Sequence, residues 1–356
     1  MTRFLSYFLR LGTVGFGGPI ALANAMERDL VAERGWISAE DYRQGLALSQ
    51  LAPGPLAAQL AMYLGYVRAG TMGAALAGIA FVTPSFLMVI AIAWAYVRFN
   101  GLPWMQSVFY GVGAAVIALM AKAAYALTRK TLGQRPLLWV IWGFTAAATV
   151  ILRREVVWFF FLAGAIGVAA EVRPRGQLLA ADPGTLWTVL LFFTKAGAFV
   201  FGSGLAIVPF LYGGAVVQHH WLTERQFLDA VAVAMITPGP VVITVAFIGY
   251  LVAGLPGSCA AATGVFLPPW LFVVALAGWF RRRGADPRLQ GFVDGVTAAA
   301  VGALTGAALI LARGSIKDVP TALIAAAALF AVTRRKIPEP LVVAAAAAVG
   351  LLLGRG

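Results

Sequence analysis

Residues 36–66 read WISAEDYRQGLALSQLAPGPLAAQLAMYLGY, and residues 221–250 read WLTERQFLDAVAVAMITPGPVVITVAFIGY. As one straight helix, Ser38 to Arg68 would be roughly 46 Å long at 1.5 Å per residue, well beyond a hydrocarbon core of about 30 Å. Pro53-Gly54-Pro55 forbids that helix in any case, because each proline removes an amide donor and restricts the residue before it. Ser38 with Asp41, and Thr223 with Gln226, have the spacing of a capping box, which predicts a helix start in both stretches. Two shapes satisfy these constraints: a broken spanning helix, or a re-entrant hairpin tipped by Pro-Gly-Pro.

The rest of the chain places that choice inside a membrane. Of 356 residues, 61% are hydrophobic and 12% charged, about half the charged fraction of a soluble protein. Mean hydropathy is +0.87. These values exclude disorder and leave no room for a sizeable soluble domain, so the fold class is an all-α polytopic membrane protein. Net charge is +13, which in a soluble protein would suggest nucleic acid. Here Arg281-Arg282-Arg283 and Arg334-Arg335-Lys336 sit between apolar runs, the pattern of the positive-inside rule, and no nucleic-acid partner is expected. Cys259 is the single cysteine, no Cys/His spacing suggests a metal, and nothing calls for a cofactor. The first apolar stretch, Phe4 to Ala25, has no cleavage site and reads as a retained membrane segment.

The chain repeats itself at an offset of 185 residues. Phe193, Gly197, Phe201 and Gly202 fall on Phe8, Gly12, Phe16 and Gly17, and Trp221-Leu222-Thr223 falls on Trp36-Ile37-Ser38. Pro238-Gly239-Pro240 falls on Pro53-Gly54-Pro55; after a one-residue slip Gly249-Tyr250 meets Gly65-Tyr66 and Pro268 meets Pro84. Two homologous transporter repeats result, 1–180 and 181–356, joined by the polar stretch Arg173 to Gly184. Each holds a Gly-broken apolar segment (4–26; 186–217), a Pro-Gly-Pro segment (38–68; 223–253), two long apolar helices (72–97 and 107–127; 257–280 and 291–312) and two shorter runs. If every segment crosses, Lys and Arg divide with a weak bias between the sides; if both Pro-Gly-Pro segments return, the split is about two to one. The second arrangement gives about five spans per half and inverts one half relative to the other, an inverted repeat.

Irregular backbone at membrane depth survives only where it is buried in protein or lines a cavity. The breaks come in symmetric pairs: Gly15-Phe16-Gly17-Gly18-Pro19 with Phe201-Gly202-Ser203-Gly204, and the two Pro-Gly-Pro motifs. Freed amides at half-helix N-termini can bind an anion. Arg10 and Lys195 occupy the same position in the two halves, and a cation inside a membrane helix is costly unless it has a function or snorkels. Asn24, Gln50, Gln59, Thr237 and Thr244 add neutral hydrogen-bonding groups near the breaks, and Asp229 and Asp294 are candidates for proton coupling. Lys122 lacks a matching charge in the other half and reads as a snorkelling side chain. Gly202-Ser203-Gly204 superficially resembles a serine-protease motif, but no His lies within an apolar segment to act as base, so the chain is not read as an enzyme. A membrane scaffold without flux is the remaining non-transport alternative.

In combination, Leu11-Gly12-Thr13-Val14-Gly15-Phe16-Gly17-Gly18-Pro19, Trp36-Ile37-Ser38, Gln50-Leu51-Ala52-Pro53-Gly54-Pro55 and Tyr63-Leu64-Gly65-Tyr66 resemble the chromate ion transporter family. The second half matches through Lys195-Ala196-Gly197, Gln226-Phe227-Leu228-Asp229 and Thr237-Pro238-Gly239-Pro240, as in the family's long form of two fused halves. The resemblance implies secondary transport of chromate, with export across the cytoplasmic inner membrane (chromate resistance) and sulfate as the competing analogue. A sulfate or other small-anion transporter or channel is the alternative, and a homodimer is left open. The family often has a His shortly after its first Phe-Gly-Gly-Pro; here Ala21-Leu22-Ala23 occupy that stretch.

Overall fold

The structure, a computed structural model, describes residues 1–16, 18–99, 103–133, 135–152, 184–199, 207–283, 287–335 and 337–353. The first half contains α1 (Thr2–Val14), α2 (Gly18–Met26) continuing as a π-helical stretch (Glu27–Glu33), α3 (Ala39–Leu51), α4 (Leu56–Phe99), α5 (Pro103–Leu132) and α6 (Pro136–Leu152). The second contains α7 (Thr185–Phe199), α8 (Val208–Leu211) with its π-helical stretch (Tyr212–Gln218), α9 (Glu224–Ile236), a 3-10 turn (Val241–Ile243), α10 (Thr244–Arg283), α11 (Pro287–Ser315), α12 (Val319–Thr333) and α13 (Glu339–Leu353).

The first Pro-Gly-Pro segment is a hairpin. Both capping predictions hold: Ser38 Oγ accepts the Asp41 amide at 3.0 Å, and Thr223 Oγ1 accepts that of Gln226 at 3.2 Å. Such caps are worth about 1 kcal/mol each. Gly45 on the first arm lies against the Tyr63 ring on the second, and Arg68 donates to the Trp36 carbonyl at 3.4 Å, so the arms run antiparallel with Gly54 at the bend. Each arm is about 13 residues and roughly 20 Å long, enough to reach the membrane centre and not to cross it.

A second reversal comes directly after the hairpin. Gly70 (φ 59°) turns the chain inside α4, so Gly65 packs on Gly73 and Met62 on Gly78. In α10, Gly254 (φ 60°) does the same, bringing Gly249 onto Gly257 and letting Ser258 Oγ donate to the Ala246 carbonyl at 2.7 Å. This backbone region disfavours side chains with a Cβ, hence glycine at both turns. The first apolar run reverses too. α1 ends where Gly15 turns extended, Leu22 packs back on Gly15, and Arg34 reaches the Tyr7 ring at 5.1 Å. Its glycine break is therefore a tip, and this run, which the sequence placed among the crossing segments, enters and leaves at one end of the molecule because Leu22 and Arg34 pack back on α1.

The long arm of α4 (71–99) orders everything else. It starts at the base of its own hairpin and meets Gly239, the tip of the second hairpin, at Ser85. It then ends where Tyr96 donates to Asp229 at 2.7 Å, near the base of the second hairpin. The two hairpins thus approach from opposite ends and their tips lie at the same level, about 21 Å along that arm. The contacts between the halves are reciprocal, Gly239 touching Ser85 and Gly54 touching Pro269. Reciprocity of this kind marks a two-fold axis, and opposed hairpins set that axis across the helices, as inverted repeats require.

The closing helices of each half pack on the other half. Gly111 of α5 meets Ala346 and Gly350 of α13, Lys122 pairs with Glu339 at 3.1 Å, and Tyr110 donates to Asp318. Lys122 is therefore an ion-pair partner and not a snorkelling side chain. α6 packs on α11, where Trp142 Nε1 donates to Thr305 at 3.3 Å and Arg135 pairs with Asp294. Among the described residues, Leu56–Phe99, Gln106–Arg129, Val241–Gly278 and Asp294–Arg313 are long and apolar enough to cross a membrane.

This arrangement sorts the charges. Among the residues with described side chains, Arg28, Arg34, Arg68, Arg129, Arg135, Arg334 and Arg335 lie at the end holding the first hairpin's base, and Arg98, Arg225, Arg313 and Lys317 at the other. By the positive-inside rule the first end is expected on the cytoplasmic side. Arg98 and Arg282 hold corresponding positions in the two halves and emerge at opposite ends. Cysteines placed there in a Cys259→Ser background are expected to label with membrane-impermeant reagent from opposite sides, Arg282→Cys from the cytoplasm. Labelling of both from one side would refute the inversion.

Candidate functional site

The irregular backbone of the two halves converges near the middle of the long arms. The Gly239 amide donates to the Gly15 carbonyl at 2.9 Å, joining the second hairpin's tip to the first half's glycine break. Gly54 lies on the opposing arm of α10, where an added Cβ would come 2.9 Å from Pro269 Cβ. The N-termini of α2 at Gly18, α4 at Leu56 and the 3-10 turn at Val241 begin at these breaks. Their first-turn amides have no intrahelical acceptor and carry the positive end of the helix dipole. Gly54, Pro55, Pro238, Gly239 and Pro240 are buried.

Polar side chains at the tips divide by what their protons already do. Thr237 and Thr244 donate to the Val233 and Val241 carbonyls, both at 2.8 Å, so these hydroxyls retain only lone pairs. Gln59 donates to the Pro53 carbonyl at 2.7 Å, and its Oε1 is buried with no partner among the described residues. Ser85, fully buried against Gly239, has a hydroxyl with no partner among the described residues. An unpaired buried hydroxyl costs about 1–3 kcal/mol, which a bound acceptor would offset. Ser85 was missed in the sequence because Pro269 holds the corresponding position, so the repeat gave it no emphasis; the one available signal was a lone serine beside Pro84 in an apolar helix.

The charged candidates separate. Arg10 is exposed into a cavity of about 380 Å³ whose walls include Tyr7, Gly15, Phe16, Arg28, Asp29, Glu33 and Arg34. It has no ion-pair partner among the described residues. Lys195, its counterpart, is exposed on α7 and acts on His219, whose pKa is lowered by burial first and by the Lys195 charge second. Gln50 and Asn24 are exposed. Asp229 is buried 10 residues before the Gly239 tip, held by Tyr96, and Asp294 is tied to Arg135 at a helix end. Neither carboxylate reaches the tips. Gly17, Gly202, Ser203 and Gly204 lie outside the described residues.

Fold and site together define a transporter of two homologous halves whose re-entrant hairpins meet around a polar, cation-flanked centre. The chain belongs to the chromate transporter family: the family model "Chromate transporter" matches residues 2–168 and again 187–351. It is 56% identical to a chromate transport protein of Cupriavidus metallidurans, over 99% of this chain and 93% of that one. It is also 52% identical to a probable chromate transport protein of Synechococcus elongatus (99% and 95%) and 32% identical to a chromate transport protein of Pseudomonas aeruginosa (90% and 83%). No solved structure matches.

Gly239 joins a φ of 99° to a site where any Cβ overlaps Ser85 Oγ. Gly239→Ala is expected to lower thermal stability in detergent by about 1–3 kcal/mol and to abolish transport. Adding Ser85→Ala removes the overlap and leaves the strain, so the double variant should recover part of the stability. A single Gly239→Ala protein with wild-type melting and flux would show that the tip is not closely fitted.

Proposed function

We propose that this protein carries chromate across the cytoplasmic membrane, from the cytoplasm outward, with sulfate as the competing analogue. The observation that carries the reading is the hydrogen bond joining Gly239 to Gly15, a residue in the wall of the Arg10 cavity. It sets close together a cation and a hydroxyl that have no partner among the described residues and the half-helix N-termini of the tips. The names of the relatives supply the oxyanion.

A tetrahedral dianion entering a dry site must exchange its water for fixed donors. First-turn amides, the Ser85 hydroxyl and the Arg10 and Lys195 charges are such donors, and the N-terminal dipoles need no reorganisation when the charge arrives. The prolines keep the tips from closing into continuous helix, so amides there stay available. Alternating access results if the two hairpin pairs rock about the reciprocal Ser85–Gly239 and Pro269–Gly54 contacts. A negative-inside potential drives the dianion outward at about 2.3 kcal/mol per charge per 100 mV.

Lys195 is the side chain to remove first. Lys195→Met keeps the apolar stem and deletes the charge. It is expected to insert normally and to lower radiolabelled chromate flux in inside-out vesicles at least about tenfold, the scale of a 1.4 kcal/mol loss. Lys195→Arg should retain more flux, since it keeps the charge. Unchanged flux in Lys195→Met at equal expression would take Lys195 off the path. Excess sulfate should slow wild-type chromate flux.

A further inference from the structure

Where the first half lines a 380 Å³ cavity around Arg10, the described residues at the corresponding positions of the other half pack as rings. At an offset of 185, Tyr7, Ala25, Arg28 and Arg34 correspond to Phe192, Phe210, Gly213 and His219. The Phe192 ring packs on Gly214, stacks on Phe210 at 5.2 Å and meets Trp221 edge-on at 5.5 Å, while His219 stacks on Trp221 at 4.4 Å. Where the first half has a charged, open mouth, the second has an aromatic one.

The arginines of the open mouth are in different states. Arg10 is unpaired among the described residues. Arg28 is held by Asp29 at 2.8 Å and by Glu33 at 3.6 Å. Arg34 lies over the Tyr7 ring at 5.1 Å and the Trp36 ring at 4.8 Å, which occupies the face of its guanidinium and leaves its N–H edges to bind. Stacked guanidinium with free edges suits a planar pair of oxyanion oxygens. With Asp29 and Glu33 counted, the cavity keeps an excess of one positive charge. Its volume would hold about a dozen waters at about 30 Å³ each, ample for an oxyanion that keeps part of its hydration.

We infer that the Arg10–Arg28–Arg34 cavity is a separate capture site for a tetrahedral dianion at the basic end of the protein, where the other half carries Lys195, Gly213 and His219 at the corresponding positions. The inference rests on the transport reading and adds sidedness to it. Dianions are gathered by a focused positive field, shed water in stages, and pass to the tips across the Gly15–Gly239 junction. Asp29 acts as a brake, because it neutralises Arg28. At the far mouth the imidazole of His219 stands where Arg34 stands in the first half, and burial and the Lys195 charge both lower its pKa, which makes it the weaker cation.

The test compares initial chromate flux in inside-out and right-side-out vesicles of cells making the full chain. For the wild type, the half-saturating chromate concentration is expected to be at least severalfold lower at the cytoplasmic face. Arg34→Gln should raise that value about tenfold at the cytoplasmic face and less than twofold at the outer face. Asp29→Asn should lower it at the cytoplasmic face, a gain that misfolding cannot produce. Equal values at both faces of the wild type, or variants that shift both faces alike or neither, overturn the capture site. Absence of wild-type flux in both orientations refutes the transport reading itself. Equilibrium dialysis of purified protein against chromate then decides the site alone: weaker binding in Arg34→Gln and tighter in Asp29→Asn support it, and unchanged binding removes it.

Discussion

The hydrogen bond from the Gly239 amide to the Gly15 carbonyl states the constraint on which the whole molecule is built. In a hydrocarbon environment an unpaired amide costs several kcal/mol, so chain that leaves a helix at membrane depth must be met by protein. A Pro-Gly-Pro tip is such chain, and so is a glycine break. Each half on its own would expose both. Brought together from opposite ends, the tip of the second half covers the break of the first. The two-fold relation is the simplest way for two copies of one motif to satisfy each other.

Close approach is what makes this possible without a hydrophobic driving force between helices, since lipid tails are as apolar as leucine. The glycines stand at the crossings: Gly12 on Phe81, Gly197 on Val265, Gly65 on Gly73, Gly249 on Gly257 and Gly111 on Gly350. Backbones that touch leave no room for a Cβ, and the contacts gain dispersion energy and short carbonyl approaches in return. The exchange of closing helices adds ion pairs between halves, Lys122 with Glu339 and Arg135 with Asp294. Rigid hairpins around a shared floor and an interlocked outer bundle form a frame in which one set can move against the other.

The halves agree in backbone and differ in chemistry. Gly70 and Gly254 turn alike, and Ser38 and Thr223 cap alike. Tyr96 has Phe280 at its corresponding position, Asp229 has Gln44, and Arg28 has Gly213. A fold needs the first set, because sterics and hydrogen bonding permit little else. A carrier working between two different compartments has no reason to keep the second set symmetric, since each mouth meets its own solution and its own side of the potential.

The sequence by itself determined the membrane class, the repeat, the helix starts at Ser38 and Thr223 and the interruption at each Pro-Gly-Pro, because composition, capping and proline act locally. It left open whether the Pro-Gly-Pro segment crosses or returns. A proline fixes that a helix stops and does not fix the direction in which the chain continues, which depends on what the next helix packs against. Gly45 against Tyr63 and Gly239 against Ser85 made that decision. For the same reason the pairing of Lys122 with Glu339, the hold of Tyr96 on Asp229, the unpaired Ser85 hydroxyl and the gathering of Arg28 and Arg34 around Arg10 belong to the tertiary structure alone. These partners stand up to 217 residues apart, and no local preference in a chain can record which distant residue will arrive.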